Sequence, residues 1–560
     1  MSSSDRKRWK NSYIWDLIST EGLPHLPPGH PARVTVRAGS LAVALAVVPS
    51  LVPLITSKHA RKKFKISELL KREFGVNGFP FALMLVFGGG AWLEWGWNRA
   101  KATRSGDIKN DESFKRSKRR TAISTFVVSL WAIYRLRNHR KPTQPMADIP
   151  LTLSVDNLSS KTSPSLDLTI IFCVRALDAL FQHAIRGRCN SEHSSSDTER
   201  EDAEKRAKVR GHLDVFLFTL ASSRIMWCFV YQPFRLPQSY VKWINALAEI
   251  DNRLVLTLRA LRAGTWRYGE QSPAARHILT SYAVELGYPA GWGDPAKLPP
   301  ISGPSADKIW QELGVRSRSG CGGVPCELVH GDVMTPSCAV NALTRWIRAF
   351  MKAFLIYLPV HTIPTLLVNP MRFLSDPFSI LTAISRSSAF LATFVGTIFS
   401  TICLSRTVLG PKLFPNLPHQ TIDGPLGGVA LGCITCCLSL YIERGKRRGE
   451  IALYVLPRAI RTLFKESWLR SGSLSVELVE KFAFAISCAT LVTFAKYDQE
   501  SLRGLSRWGL GFVLEGWESF RRKREEGEKL DRVESQASVY GPKLPDLGTY
   551  VQDSGLHNQF

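Results

Sequence analysis

The chain has 560 residues, with 73 Lys and Arg against 47 Asp and Glu, a net charge of +26, and 45% hydrophobic against 21% charged residues. This balance excludes a chain without a core, and it equally excludes one made only of membrane spans. The apolar residues must be bunched, and the basic excess has to be located before it is read as a nucleic-acid surface.

Residues 1–35 form a basic segment, beginning MSSSDRKRWK, with no apolar core of the kind a cleaved signal needs. Asp5, Asp16 and Glu21 count against a mitochondrial presequence, so targeting is expected to be internal. Residues 36–141 read as a hydrophobic region with two or three spans. The run AGSLAVALAVVPSLVPLITS between Arg37 and Lys58 carries no charge, and about twenty residues suffice to cross a bilayer. A second run, Gly75 to Asn98, is interrupted only by Glu94, set among Trp92, Trp95 and Trp97. Those indoles suggest an aromatic belt where the carboxylate reaches water. The shorter run Thr121 to Tyr134 is a further candidate.

Residues 142–210 read as a polar, partly disordered linker, with the charged stretch Cys189 to Gly211 having nothing to bury. In 211–320, His212 to Tyr231 is a candidate span holding Asp214 and Arg224. Ten residues apart, these lie roughly 15 Å from one another along a helix, so each needs a partner elsewhere. Tyr240 to Gly264 has helical periodicity, with Ile244, Leu247, Leu254, Leu258 and Leu261 near one side. The Pro- and Gly-rich segment Leu286 to Ser305 is expected to be an aqueous loop.

Residues 321–515 open on CGGVPCELVHGDVMTPSC, where Cys321, Cys326, His330 and Cys338 supply the atoms of a Cys3His metal site. Their spacings match no common finger or ribbon, so a metal site, a redox or disulfide pair and merely tolerated cysteines all stay open. Arg345, Arg348 and Lys352 follow on one helical face, as on a helix entering a bilayer with its cations on lipid phosphates, or simply on a solvated face. In Ala353 to Val368, His361 sits between Pro359 and Pro364, which should bend the helix. An ionisable group at that depth is a functional suspect, or else it is bonded to carbonyls the prolines free.

The runs Ser387 to Ser405 and Gly424 to Ile442 are charge-free, and Phe482 to Ala495 is a shorter candidate. Gly424, Gly428, Gly432 and Cys436 recur every four residues, as do Ser388, Ala392, Gly396 and Ser400. Such spacing aligns small side chains on one helical face and lets another backbone approach closely. A pore lined by these helices is the alternative use. Residues 516–560 read as a disordered tail.

The architecture is therefore mainly α, a multipass α-helical integral membrane protein of about six to eight spans with polar linkers. Basic residues crowd the edges of the apolar runs, which points to anionic lipid headgroups rather than nucleic acid. Homo-oligomers or other membrane proteins are further possible partners. Eleven cysteines, an odd number, show no disulfide framework. No Walker loop, HExxH or GxSxG motif occurs. A non-enzymatic protein without cofactor is expected, with a conduit or translocase and a membrane-embedded metal-dependent enzyme as the rivals.

The blocks PCELVHGDVMTPSC and NALTRWIRAFMKAFLIYLPVHTIPTLL, with SRIMWCFVYQPFRLPQSYVKWI before them and IERGKRRGEIALYVLPRAIRTLF after, resemble the transmembrane protein 135 family in its fungal form. The resemblance covers roughly residues 210 to 515. It implies a multipass protein of mitochondrial and peroxisomal membranes, connected with organelle dynamics and lipid homeostasis. It also implies a distant similarity to the mitochondrial Tim translocase family, whose small-residue faces look like Gly424, Gly428 and Gly432. It carries no established catalytic residues.

Overall fold

The computed structural model describes residues 30–56, 78–102, 110–139, 165–187, 196–273, 275–316, 320–368, 376–464 and 474–516. Among these every regular element is helical and no strand occurs, so the protein is mainly α. Two compact units divide it, one of residues 1–125, 492–500 and 504–560, the other of 126–491 and 501–503. The basic N-terminal segment before residue 30, the tail from residue 517, and the cluster Lys58, Arg61, Lys62, Lys63 and Lys65 lie outside the described residues.

The helices in chain order are α1 Pro31–Thr56, α2 Phe79–Met84, α3 Gly90–Ala102, α4 Asn110–His139, α5 Leu166–Gly187, α6 Ser196–Tyr231, α7 Gln238–Ala248 and α8 Asn252–Ala263. There follow α9 Arg276–Glu285, α10 Pro304–Glu312, α11 Cys326–His330, α12 Cys338–Val368, α13 Pro377–Leu404, α14 His419–Ile422, α15 Gly428–Thr435, α16 Gly445–Leu463, α17 Leu474–Tyr497 and α18 Gly504–Glu515.

In the first unit α1 packs on α2 and on the wide turn Leu85–Gly89 that joins α2 to α3. A Cβ on Gly88 would fall 2.3 Å from Thr35 Oγ1 and 2.9 Å from its Cα, so the two backbones meet where only a hydrogen fits. Glu94 is not at water as its setting among indoles suggests. It is buried and ion-paired with Lys496 of the same unit, because a carboxylate removed from solvent needs a cation. Trp92, Trp95 and Trp97 are the exposed groups there.

In the second unit the largest core joins α6, α12, α13, α15 and α16, through Phe218, Phe229, Ala349, Phe390, Cys433 and Ala452. A separate core of Trp266, Leu279, Trp292, Leu298, Trp310 and Leu328 fills the segment between α8 and α11. The expected aqueous loop Leu286 to Ser305 therefore folds onto its own apolar centre, and its glycines and prolines serve tight turns there. The amphipathic segment Tyr240 to Gly264 is two helices, broken where Glu249 takes a left-handed φ of 50° and Asp251 caps the next N-terminus at Arg253.

Among the described residues, four helical stretches are long and apolar enough to cross a membrane: Leu166–Arg186, Lys208–Tyr231, Pro377–Leu413 and Leu474–Tyr497. The first lies where a polar linker was expected. Its charges are neutralised in pairs, Arg175 with Glu450 at 3.1 Å and Asp178 with Arg503, which hydropathy along one segment does not register. The stretch Cys189 to Gly211 likewise is not all loop, since α6 begins at Ser196. Conversely, Gly424 to Ile442 is no span. Residues before Gly428 form a turn, and α15 with the tight turn Cys436–Ile442 is too short for roughly 30 Å of hydrocarbon. Finally, α12 continues through Pro359 and Pro364, as membrane helices with neighbours to support them can.

The small-residue faces are used, but not as one pair. Gly424 lies off the helix. A Cβ on Gly428 would stand 3.1 Å from the Ser405 side chain, and one on Gly432 3.3 Å from the Ile398 carbonyl oxygen of α13. Ser388 and Ala392 are fully buried, while Gly396 faces Trp346 of α12, where a Cβ would lie 3.2 Å from the indole. Ser400 is exposed and returns its hydroxyl to the Gly396 carbonyl. So α13 receives α15 on one side and α12 on another. Cys436 is buried with Cys433 and Cys437 in that contact.

Candidate functional site at the loop-to-membrane junction

Polar and ligating side chains converge where the Cys-containing loop meets α12 and the end of α13. Gly323 has a φ of +77°, and a Cβ there would lie 2.8 Å from His419 Nδ1 and 3.0 Å from Arg406 Nη2. A glycine is required on both counts. The Gly322 N–H donates to His419 Nε2 at 3.2 Å, and Ser302 Oγ lies 2.9 Å from the same nitrogen. Nε2 therefore accepts, and the ring is neutral with its proton on Nδ1.

Burial pushes the His419 pKa down from 6.5 to about 4, with Asp423 opposing the shift and Arg406 adding to it. Between these values the unfolded chain binds the proton and the folded chain does not, so stability rises with pH across the window and is lost as pH falls through it. The shift corresponds to about 3 kcal/mol. Thermal unfolding of the protein in detergent from pH 7 to about 4 should show this decline, and His419→Gln should flatten it; an equally steep slope in the variant would assign the acid sensitivity to other groups.

Arg406 is buried, donates from Nη2 to the Val324 carbonyl at 2.7 Å, and faces Asp423 Oδ1 at 3.3 Å. Tyr268 donates its hydroxyl to the other Asp423 oxygen at 2.5 Å. Burial, and then the Asp423 charge, hold the Tyr268 phenol well above its ordinary value. These bonds tie the loop body, through Tyr268 and Val324, to the end of α13.

The cysteines lie beside this knot. Pro325, with φ of −55°, precedes α11, which carries Cys326 and His330 one turn apart on one face. Gly331 at φ 62° and Met334 at φ 48° turn the chain so that Cys338 can open α12. One donor atom each from Cys326, His330 and Cys338 then lie within 4.8 Å of one another. Cys321, proposed with them from sequence, is placed elsewhere, donating its thiol to the Arg406 carbonyl at 3.0 Å. Cys403, near the end of α13, comes in instead, with its sulfur 3.5 Å from His330 Nε2.

The three cations expected to reach lipid headgroups are held by protein. Arg345 is buried, with bonds to the carbonyls of Ala248 at 3.0 Å and His330 at 2.9 Å and to Asn341 Oδ1 at 3.0 Å. Arg348 pairs with Asp332 and Glu249, and Lys352 with Glu249 and the Ala246 carbonyl. The break between α7 and α8 positions Glu249 against both, and such local pairing is what the sequence periodicity of α12 alone could not reveal.

The polar groups expected in the membrane have partners too. Asp214 accepts from Arg503 at 3.1 Å, and Asp178 shares that guanidinium. Arg224 donates to Thr462 Oγ1 and to its carbonyl, both at 3.2 Å. His361 Nε2 accepts from Arg447 at 3.3 Å rather than binding a carbonyl freed by a proline. The structure does not bring Asp214, Arg224 and His361 together.

Apolar spans with exposed hydrophobic faces and internally paired charges define a multipass α-helical integral membrane protein. Residues 325–467 match the family model described as the N-terminal cysteine-rich region of Transmembrane protein 135, so this part of the chain is similar to that region of the transmembrane protein 135 family. No solved structure matches the chain.

Proposed function

We propose that the protein is a non-enzymatic organiser of a mitochondrial or peroxisomal membrane, acting in membrane dynamics or lipid homeostasis. The observation that carries this reading is the outer face of α12. Leu343, Ile347, Met351, Leu355 and Leu358 recur at intervals of four or three residues, and all are exposed. Their opposite numbers Arg345, Ala349 and Ala353 are buried. An uncovered apolar stripe on a helix packed on its other side suits contact with acyl chains or with another membrane protein, a second copy included. The resemblance of this region to transmembrane protein 135 supports the choice of organelles.

A conduit is the second reading. The pairing of Asp214, Arg224 and His361 within the fold weighs against it, since pathway-lining groups are expected to face a common cavity. Loss of the chain from its host should change the number, shape or lipid composition of mitochondria or peroxisomes, while vesicles reconstituted with the purified protein gain no permeability to small solutes. Unaltered organelles together with solute flux would favour the conduit.

A further inference from the structure

We propose that Cys326, His330, Cys338 and Cys403 form a structural zinc site that fastens the Cys-containing loop to the membrane-embedded α13. Zinc takes four N and S ligands in a tetrahedron, with Zn–S near 2.3 Å and Zn–N near 2.0–2.1 Å. Those lengths put a cysteine sulfur and a histidine nitrogen about 3.6 Å apart across a tetrahedral edge. Cys403 Sγ and His330 Nε2 are 3.5 Å apart. Cys326, His330 and Cys338 already gather their donors within 4.8 Å, and Cys403 reaches the group through His330. Movement of the Cys403 thiol toward Cys326 and Cys338 would complete the tetrahedron.

The histidine is prepared for this role. Its Nδ1 lies 2.6 Å from the Thr335 carbonyl oxygen, which can only accept, so Nδ1 carries the proton and Nε2 presents a bare lone pair toward Cys403. Metal-bound histidines are commonly oriented by such a bond from the other ring nitrogen. His330 has no exposed surface, and Cys326 and Cys403 are also buried, so a bound ion would be shielded from water.

Charge favours occupancy as well. Three thiolates around a divalent zinc leave a single net negative charge, and the guanidiniums of Arg345 and Arg406 both lie within electrostatic range of Cys403. Arg345 also holds the His330 carbonyl, fixing the backbone of the ligand turn. Four protein ligands leave no open position for a substrate, which makes the site structural rather than catalytic. This inference goes beyond the membrane-organising reading and stands independently of it.

The test uses the full chain, purified in detergent under reducing conditions without chelator. About one zinc per chain should be found by mass spectrometry of the metal. Exchange for Co2+ should give thiolate-to-cobalt charge-transfer bands of an intensity fitting three thiolates, with the visible bands of a tetrahedral ion. Cys403→Ser should lose most of the zinc or show weaker charge transfer, while Cys321→Ser keeps both signals. If Cys403→Ser does not fold, the wild-type cobalt spectrum and Cys321→Ser decide the matter alone. Absence of zinc and of cobalt bands in the wild type, a Cys338 to Cys403 disulfide in the reduced preparation, or zinc retained without Cys403 but lost without Cys321 would each overturn the assignment.

Discussion

Replacement of Asp423 by alanine should destabilise the protein by about 3–5 kcal/mol, the scale expected when one member of a buried ion pair is removed. The Arg406 guanidinium would keep its bond to the Val324 carbonyl but lose the carboxylate that balances its charge. Tyr268 would lose its acceptor in the same step. Thermal unfolding in detergent measures the loss. The triple variant Arg406→Met, Asp423→Leu, Tyr268→Phe should recover much of it, because apolar groups of similar volume can replace a buried ion pair at little cost. A drop below about 1 kcal/mol for Asp423→Ala would mean that water reaches Arg406 and that the junction is not closed.

Gly432→Leu should be the most damaging of the substitutions in the small-residue faces. The first added carbon already meets the Ile398 carbonyl oxygen at 3.3 Å and Ile402 Cγ1 at 3.5 Å. The remaining three carbons would have to displace α13, and overpacking of this kind costs about 1–3 kcal/mol. Lower abundance in the membrane and a lower unfolding temperature are expected. Gly445→Ala, with nothing within 4 Å of the new carbon, is the control and should leave both unchanged. Equal behaviour of the two variants would show that α15 and α13 can separate freely.

How far these features were legible in the sequence depends on whether a signal was local. The span in α13 stands out as a charge-free run, while α6 and α17 are weaker signals, the first because it carries Asp214 and Arg224 and the second because its apolar run is short. The helix α5 did not stand out, because Asp167, Arg175 and Asp178 interrupt any charge-free run, although the stretch is as apolar on average as α6. Their partners Arg461, Glu450 and Arg503 come from residues 275 or more positions away. Gly424 to Ile442 was misread for the opposite reason. It has the composition of a span, but Gly424 and Gly427 sit so close to carbonyls of Gln420 and Ile422 that the chain turns there instead of starting a helix.

At the junction, Cys326, His330 and Cys338 were legible as a group since the chain places them within thirteen residues. Their neighbour Cys403 was not. It lies in an apolar run where a cysteine reads as a small packing residue, and only the antiparallel return of α13 beside α12 brings it to His330. Cys321 shared the motif but is drawn off by the Arg406 carbonyl. The cations of α12 were visible as a face, whereas Glu249 and Asp332, which hold them, lie before the helix in positions fixed by turns.

The claim on which the rest depends is that the apolar helices are embedded in a bilayer, and alkaline carbonate extraction of organelle fractions containing the tagged chain tests it most directly. The protein is expected to stay in the membrane pellet, with mitochondrial or peroxisomal markers. Release into the carbonate supernatant would make α5, α6, α13 and α17 core helices of a soluble protein and would contradict the account.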